Sequence, residues 1–273
     1  MATDQRFPDR LRIAPDSRVD LASRDPRDTV GLADEAATKA ETAELARAID
    51  KLQDRLYAEG KRALLVLLQG TDTSGKDGTI RGVFNETGPL GVTVTAFGRP
   101  TEDELEHDFL WRVHKACPRR GTIGIFNRSH YEDVLVVKVR GFAPAEAIEK
   151  RYDQINAFEK MLVENGTTVL KFMLHISKAE QAERLQERLD NPRKHWKFNP
   201  GDLEDREHWD EFRAAYETML QRCSTPWAPW YVVPADRKWV RNAVVARIVT
   251  ATLEAMDPQY PKGMWKPGEY RVE

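Results

Sequence analysis

Gly70-Thr71-Asp72-Thr73-Ser74-Gly75-Lys76 sets two glycines around four residues and puts a lysine directly after the second. That spacing suits the capture of a phosphate. Glycines let the backbone curl until several N–H groups point at one anion. A helix that starts at the end of the loop adds its positive end. Lys76 supplies a mobile point charge for phosphoryl oxygens. Gly70, Thr73, Ser74, Gly75, Lys76, Asp77, Gly78 and Thr79 are therefore the candidate phosphate-binding residues, with Arg81 further along the same helix. The usual motif follows its lysine with Ser or Thr, which holds Mg²⁺. Here that residue is Asp77. Asp72, inside the loop and close to Lys76, becomes the candidate for metal or catalytic work. The plainer alternative is that Asp72 only braces the loop through an Asx turn.

A second cluster follows an apolar run. Ile123-Gly124-Ile125-Phe126 leads into Asn127-Arg128-Ser129-His130-Tyr131-Glu132-Asp133. In open α/β sheets, ligands sit beyond the carboxyl ends of the strands. Asn127 and Arg128 fall at that end. Arg128 is suited to neutralise charge on a phosphoryl group in flight. Asn127 stands where an acid usually helps to hold the metal, and would act as a neutral ligand or hold a water. Glu132 and Asp133 are nearby acids that compensate for it as metal ligands. The alternative is that Arg128 pairs with one of them structurally.

A third group surrounds an irregular stretch. Asp190 to Asp205 contains Pro192, Pro200 and Gly201, many charges and few apolar residues apart from Trp196 and Phe198. Loops this long inside a compact domain are commonly functional. Arg184, Arg188, Arg193, Lys194 and Lys197 crowd around it. A closing lid that brings Arg188, Lys194 and Lys197 onto phosphates accounts for both the length and the charge. Trp196 would pack the closed lid or stack on a base.

The elements that must position these groups are legible in the hydrophobic pattern. Leu45, Ile49, Leu52 and Leu56 form one stripe of a helix over 34–58, which Gly60 ends. Ala63 to Leu68 is a continuous apolar run, as expected of a strand buried on both faces. Further strands are expected at 92–97, 122–127, 168–176 and 230–234. Helices are expected at 102–116, 144–165, 177–189 and 237–256. The alternation argues for an α/β fold with a parallel sheet covered on both faces. The expectation is a P-loop kinase-like three-layer αβα sandwich with a five-stranded parallel sheet and a helical/loop lid. Its parts would be an N-terminal extension with a helix (1–60), a core (61–260) with the lid at about 184–206, and a tail (261–273). Residues 1 to about 35 have weak periodicity and would wrap the surface or stay partly mobile.

Bulk properties exclude several classes. Among 273 residues, 42 Lys and Arg face 44 Asp and Glu, so net charge does not point to nucleic acid. No apolar run approaches the roughly 18 residues of a membrane span. The first 20 residues lack the apolar core of a secretory signal. Cys117 and Cys223 show no metal-type spacing and read as reduced cysteines of a cytoplasmic protein.

Taken together, the motifs resemble those of the polyphosphate kinase 2 family. Gly70-Thr71-Asp72-Thr73-Ser74-Gly75-Lys76-Asp77-Gly78-Thr79-Ile80 is similar to the family's loop, and Phe126 to Asp133 to its second signature. Asn191 to Asp202 resembles its lid; Ala228 to Asp236, with Lys238, resembles its last strand and turn. The likeness runs from about residue 17 to 261. It implies transfer of phosphate between inorganic polyphosphate and nucleotides (AMP, ADP, ATP), with Mg²⁺ or Mn²⁺, by dimers or tetramers. The family's loop Asp and Lys fall on Asp72 and Lys76, and its strand-end pair on Asn127 and Arg128. Asn at 127, where many members carry Asp, is similar to the class III subgroup, whose members phosphorylate both AMP and ADP. A polyanion would need a basic channel, for which Arg81, Arg119, Arg120 and the lid cations are the candidates. An ATP-dependent nucleoside monophosphate kinase fits the loop and lid equally well, but not Asp77 or the other matches. A P-loop module that binds nucleotide without turnover is the non-enzymatic alternative.

Overall fold

The structure is a computed structural model that describes residues 7–266 and 268–272. What was expected of the first six residues lies outside the described part. The described residues contain five strands: β1 (Ala63–Gln69), β2 (Val92–Ala96), β3 (Ile123–Asn127), β4 (Thr167–His175) and β5 (Trp230–Pro234). All are parallel, in the order β2-β3-β1-β4-β5.

β1 lies at the centre and is buried at all seven positions, which is why its sequence reads as an unbroken apolar run rather than an alternating one. Its side chains nevertheless alternate in direction. Leu64, Val66 and Leu68 join a core with Ile49, Leu56, Val83, Val244 and Val245. Leu65 and Leu67 join the opposite core with Phe126, Tyr152, Ile155 and Met219. Full burial of one such side chain contributes about 1.5–3 kcal/mol. The helices Glu35–Glu59, Lys76–Val83 and Lys238–Met256 cover the first face; Ala145–Glu164 and Trp209–Cys223 cover the second. The result is three layers.

The Glu35–Glu59 helix starts where the Asp34 side chain accepts from Ala37 N, and ends at Gly60 in the left-handed region. Its stripe packs on this chain's own core: Ile49 and Leu56 are fully buried, while Leu45 and Leu52 are partly so. Lys238–Met256 is apolar nearly all round because it is wedged between that helix and the sheet.

Residues 12–32 form an ordered strap across the β5 edge. Ile13 N donates to Trp230 O at 2.9 Å, Ser224 Oγ donates to Ile13 O at 2.6 Å, and Leu21 N donates to Glu217 Oε1 at 2.9 Å. Asp236 N donates to Pro26 O at 3.2 Å. The strap thus covers an edge that would otherwise offer unpaired backbone groups.

One expectation needs correction. The helix expected over 102–116 is two short helices, Glu102–Leu105 and Trp111–Ala116. The first is fixed by a capping box between Thr101 and Glu104, and Asp108 Oδ1 caps Leu110 N in the break between them. The lid combines loop and helix, as expected. After Asp190 it runs through a 3₁₀ turn, His195–Lys197, into a helix, Gly201–Glu207.

Candidate active site

The chain leaves adjacent strands β1 and β3 in opposite directions, so a crevice opens beyond their carboxyl ends. The glycine loop fills one side and Asn127 and Arg128 the other. The loop needs its glycines. Gly70 has φ +152°, and a Cβ there would meet Ser74 Oγ at 2.6 Å and Leu174 O at 2.7 Å. Gly75 has φ +101°, and a Cβ would strike the Arg241 guanidinium, 1.7 Å from Nη1. Arg241 is buried beneath the loop and its Nη1 reaches Ser74 O at 3.5 Å. Burial, with Arg184 nearby, pulls its pKa down to about 10.

Lys76 opens the helix after the loop and is almost buried. Its Nζ donates to Gly70 O at 2.7 Å and Thr71 O at 3.3 Å. Burial, reinforced by the Arg128 charge, pulls its pKa down to about 8 against the pull of Asp72, Glu132 and Asp77. Arg128 Nη2 donates to Asp72 Oδ1 at 2.5 Å, and Nη1 lies 3.6 Å from Glu132 Oε2. These two carboxylates hold the guanidinium firmly charged. Arg128 has φ +63°, a strained conformation for a side chain this size. The turn after it is anchored from below: Tyr131 OH donates to Glu159 Oε1 at 2.8 Å, His130 Nε2 lies 3.3 Å from the same oxygen, and Lys171 Nζ sits 2.5 Å from Glu159 Oε2.

Asp77 is bridged rather than free. Asn127 Nδ2 donates to Asp77 Oδ1 at 2.6 Å, and the lid's Lys197 Nζ lies 3.7 Å from Oδ2. The lid therefore rests on the start of the loop helix. Arg188 donates to Asp202 Oδ2 at 2.7 Å and Lys197 O at 3.0 Å, and Lys194 pairs with Glu187. Arg184, expected as a lid cation, is a brace: it donates to Thr73 O, Ala235 O and Asp236 O at 2.7–2.9 Å.

These groups line one cleft of about 490 Å³. Asp72, Thr73, Gly75, Lys76, Asp77, Gly78, Asn127, Arg128, Arg188, Lys194 and Lys197 are all on its wall. Lys238 and Asp202 join them. With Arg184 and Glu187, which also line it, seven cations face four carboxylates there, in a chain whose overall charge is −2, so the cleft concentrates positive charge locally. Gly70 shapes the loop behind, and Ser74 and Thr79 are buried under it, Thr79 Oγ1 donating to Gly75 O. Arg81 is exposed and does not line the cleft. Asp133 points away from it: Asp133 pairs with Arg151 at 3.2 Å, and burial pushes its pKa up to about 6. Glu132 serves Arg128 and accepts from Gln69 Nε2 at 3.0 Å. Arg119 and Arg120 precede β3, so they sit at the opposite end of the sheet.

The donor set suits a hard cation. Asp72 uses Oδ1 for Arg128, and no bond is formed by its Oδ2 among the described residues. Asp202 shares the cleft; burial and the neighbouring Asp72 charge push its pKa up to about 6. A cation near both would relieve that pressure. No group of three or more His, Cys, Asp or Glu residues is poised to hold a metal among the described residues. Mg²⁺ does not require one, because it keeps waters and takes phosphate oxygens alongside one or two carboxylates.

Comparison with known proteins decides the family. The model described as polyphosphate kinase 2 matches residues 32–261. The chain belongs to this family. It is 54% identical over 93% of its length to an AMP/ADP-polyphosphate phosphotransferase of Meiothermus ruber, covering 95% of that protein. It is 42% identical over 78% of its length to an ADP-polyphosphate phosphotransferase of Rhodopseudomonas palustris, covering 78% of it. Among solved structures it resembles polyphosphate kinase 2 from Arthrobacter aurescens TC1, with TM-score 0.90 and 43% identity over 94% of this chain and 92% of that one. The chain is accordingly a phosphotransferase with the P-loop kinase-like fold.

Within this polyphosphate kinase 2 site, the sequence reading missed Arg241 and the bracing role of Arg184. Arg241 carries no motif signal; it lies in a mostly apolar helix, beside Asn242, whose Oδ1 accepts from its guanidinium. The signal available was its charge, isolated within a buried helix, where an arginine must find acceptors.

Proposed function

We propose that this enzyme transfers phosphoryl groups from inorganic polyphosphate to AMP and ADP, reversibly, and that Asp72, Lys76, Asn127 and Arg128 form its reaction centre. The observation that carries the reading is the joining of the glycine loop to the β3 end by the Arg128–Asp72 pair, inside a cleft where cations outnumber acids. The homologous proteins named as AMP/ADP-polyphosphate and ADP-polyphosphate phosphotransferases support the substrate pair.

In this reading the loop amides and Lys76 receive the terminal phosphate of the donor. Arg128 neutralises charge on the transferring group, whose loose transition state demands electrostatic help more than covalent chemistry. Asn127 orients from the β3 side while bonded to Asp77. Lys194 and Lys197 add charge from the lid and exclude water when it closes. Asp72, with Asp202 across the cleft, would hold Mg²⁺ or Mn²⁺. A bound divalent ion supplies charge neutralisation for phosphate oxygens. The working unit is the core 61–260 with its extension, in a cytoplasmic homo-oligomer.

A donor swap tests the proposal. AMP is incubated with polyphosphate or with ATP, and ADP formation is followed. Product with polyphosphate supports it. Product with ATP alone would assign the cleft to an ATP-dependent nucleoside monophosphate kinase.

A further inference from the structure

Behind the phosphate loop lies a separate chamber of about 180 Å³, walled by the N-terminal strap, the end of β4 and the helix Trp209–Cys223. Arg24, Lys178, Arg213 and His175 line it, together with Thr71 of the loop and the aromatic Trp209 and Tyr216. None of its lining residues is Asp or Glu, although acids outnumber Lys and Arg in the chain as a whole. A wall with cations and no carboxylates favours an anion.

Arg24 is the feature that calls for a ligand. Its guanidinium makes no hydrogen bond or ion pair among the described residues, yet it is half-buried, and loss of water pulls its pKa down. Its backbone is pinned. Arg24 N donates to Leu21 O at 3.2 Å, and Arg24 O is 3.1 Å from His175 Nε2. A half-buried guanidinium with no partner among the described residues, carried on a fixed backbone, has its charge available for an incoming anion. Arg213, by contrast, has Asp210 at 3.1 Å.

A small pocket of about 30 Å³ lies between the chamber and the main cleft, sharing Thr71, Trp209 and Tyr216 with the one and Asp72 and Arg128 with the other; Glu132 and Asp205 also line it, so it is no passage for a phosphate chain. The chamber itself meets the phosphate loop directly, with Thr71 in its wall. Its volume is below the ~300–1,000 Å³ usual for organic ligands of drug size, so a whole nucleotide does not suit it, whereas a short run of phosphates does.

We propose that the chamber around Arg24 is a secondary anion subsite, which holds phosphate groups of the polyphosphate chain beyond those gripped by the loop. The proposal rests on the reading of polyphosphate as substrate. It makes the strap part of substrate binding as well as a cover for β5.

The test uses the full chain with Arg24→Gln and Arg24→Lys. Initial rates are measured with AMP while long-chain polyphosphate is varied, and then with AMP varied. Because the Arg24 side chain has no partner among the described residues, both variants should keep the wild-type unfolding midpoint. For Arg24→Gln the KM for polyphosphate should rise roughly five-fold, as for loss of one partly exposed ionic contact, with kcat and the KM for AMP little changed. Arg24→Lys should recover most of the loss. Polyphosphate binding by Arg24→Gln should also weaken less steeply with added salt. An unchanged KM for polyphosphate, or a rise confined to AMP, would overturn the subsite and leave the proposed function standing. Failure of the wild-type protein to use polyphosphate at all would overturn both.

Discussion

Lys171 Nζ and Glu159 Oε2 meet at 2.5 Å with neither side chain exposed to solvent. The pair stands directly behind the reaction centre, because Glu159 also takes the Tyr131 hydroxyl and the His130 ring. Lys171 fills its remaining positions with Tyr131 OH at 2.8 Å and Cys223 O at 2.7 Å. Burial disfavours the Glu159 charge, but Lys171 and His130 more than offset it and keep its pKa low. Breaking one partner would strand the other without water. Glu159→Gln is expected to cost about 3–5 kcal/mol in denaturant unfolding. Replacing both charges with apolar residues of similar volume should cost less than either single change, which a double-mutant cycle would reveal. Equal or greater loss in the double variant would contradict this account.

Lys76 is expected to set an alkaline limit on substrate capture. Its pKa in the folded protein, about 8, lies below the ordinary lysine value of 10.5. The neutral form gains as pH rises through 8, and a neutral amine attracts phosphate weakly. The kcat/KM for polyphosphate should therefore fall with a single deprotonation near pH 8, while kcat should persist to higher pH because bound phosphate holds the proton on. The stability sign is opposite to that of a favourable ion pair. The folded state binds this proton less tightly than the unfolded chain, so the charge costs stability below pH 8 and the cost fades between 8 and 10.5. Lys76→Met should be no less stable than wild type at pH 7, with a gain of at most about 3 kcal/mol. Its turnover should drop by about 10²–10³ or more. Retained turnover would remove Lys76 from the mechanism.

Arg128 should not tolerate lysine. Its guanidinium spans Asp72 and Glu132 with two different nitrogens, and a single ammonium cannot reproduce that fork. Arg128→Lys is expected to lose nearly as much kcat as Arg128→Ala, about 10²-fold or more. Near-wild-type kcat in Arg128→Lys would show that only the charge matters.

Local pattern carried most of the fold. β1 was readable because six of its seven buried positions form an apolar run with no alternation, and the glycine loop because only glycine tolerates the approach of Ser74, Leu174 and Arg241. The break at 106–110 was missed although Asp108, a poor helix former and a capping residue type, stands in it, because Glu106, Phe109 and Leu110 around it keep the helical pattern going. Charge in the sequence also said little about where each cation goes. Arg184 and Arg188 are one helical turn apart, yet Arg184 is spent on backbone carbonyls while Arg188 meets Asp202 in the cleft. Acids 132 and 133 are adjacent in sequence, but successive residues of the 3₁₀ turn diverge, leaving Glu132 with Arg128 and Asp133 with Arg151.

Asp72 and Asp77 make opposite predictions for metal dependence, although both acids lie in the same cleft. Asp72 is largely shielded, with Oδ2 unbonded. Asp77 is about half exposed and spends Oδ1 on Asn127 and Oδ2 on Lys197. A carboxylate occupied by a neutral amide and a cation is a poor ligand for Mg²⁺, which binds hard oxygens with room for waters. Asp72→Asn is therefore expected to raise the Mg²⁺ concentration for half-maximal rate by about ten-fold or more, since altering even the support of a ligand costs 10–100-fold in affinity. Asp77→Ala should change that concentration less than about two-fold. It should instead weaken the lid's rest position, detectable as faster proteolysis within 190–205, and cost at most about 1 kcal/mol in global stability, as for other exposed pairs. If Asp77→Ala proved the more damaging of the two in a magnesium titration, the cation would belong at the start of the loop helix rather than at Asp72.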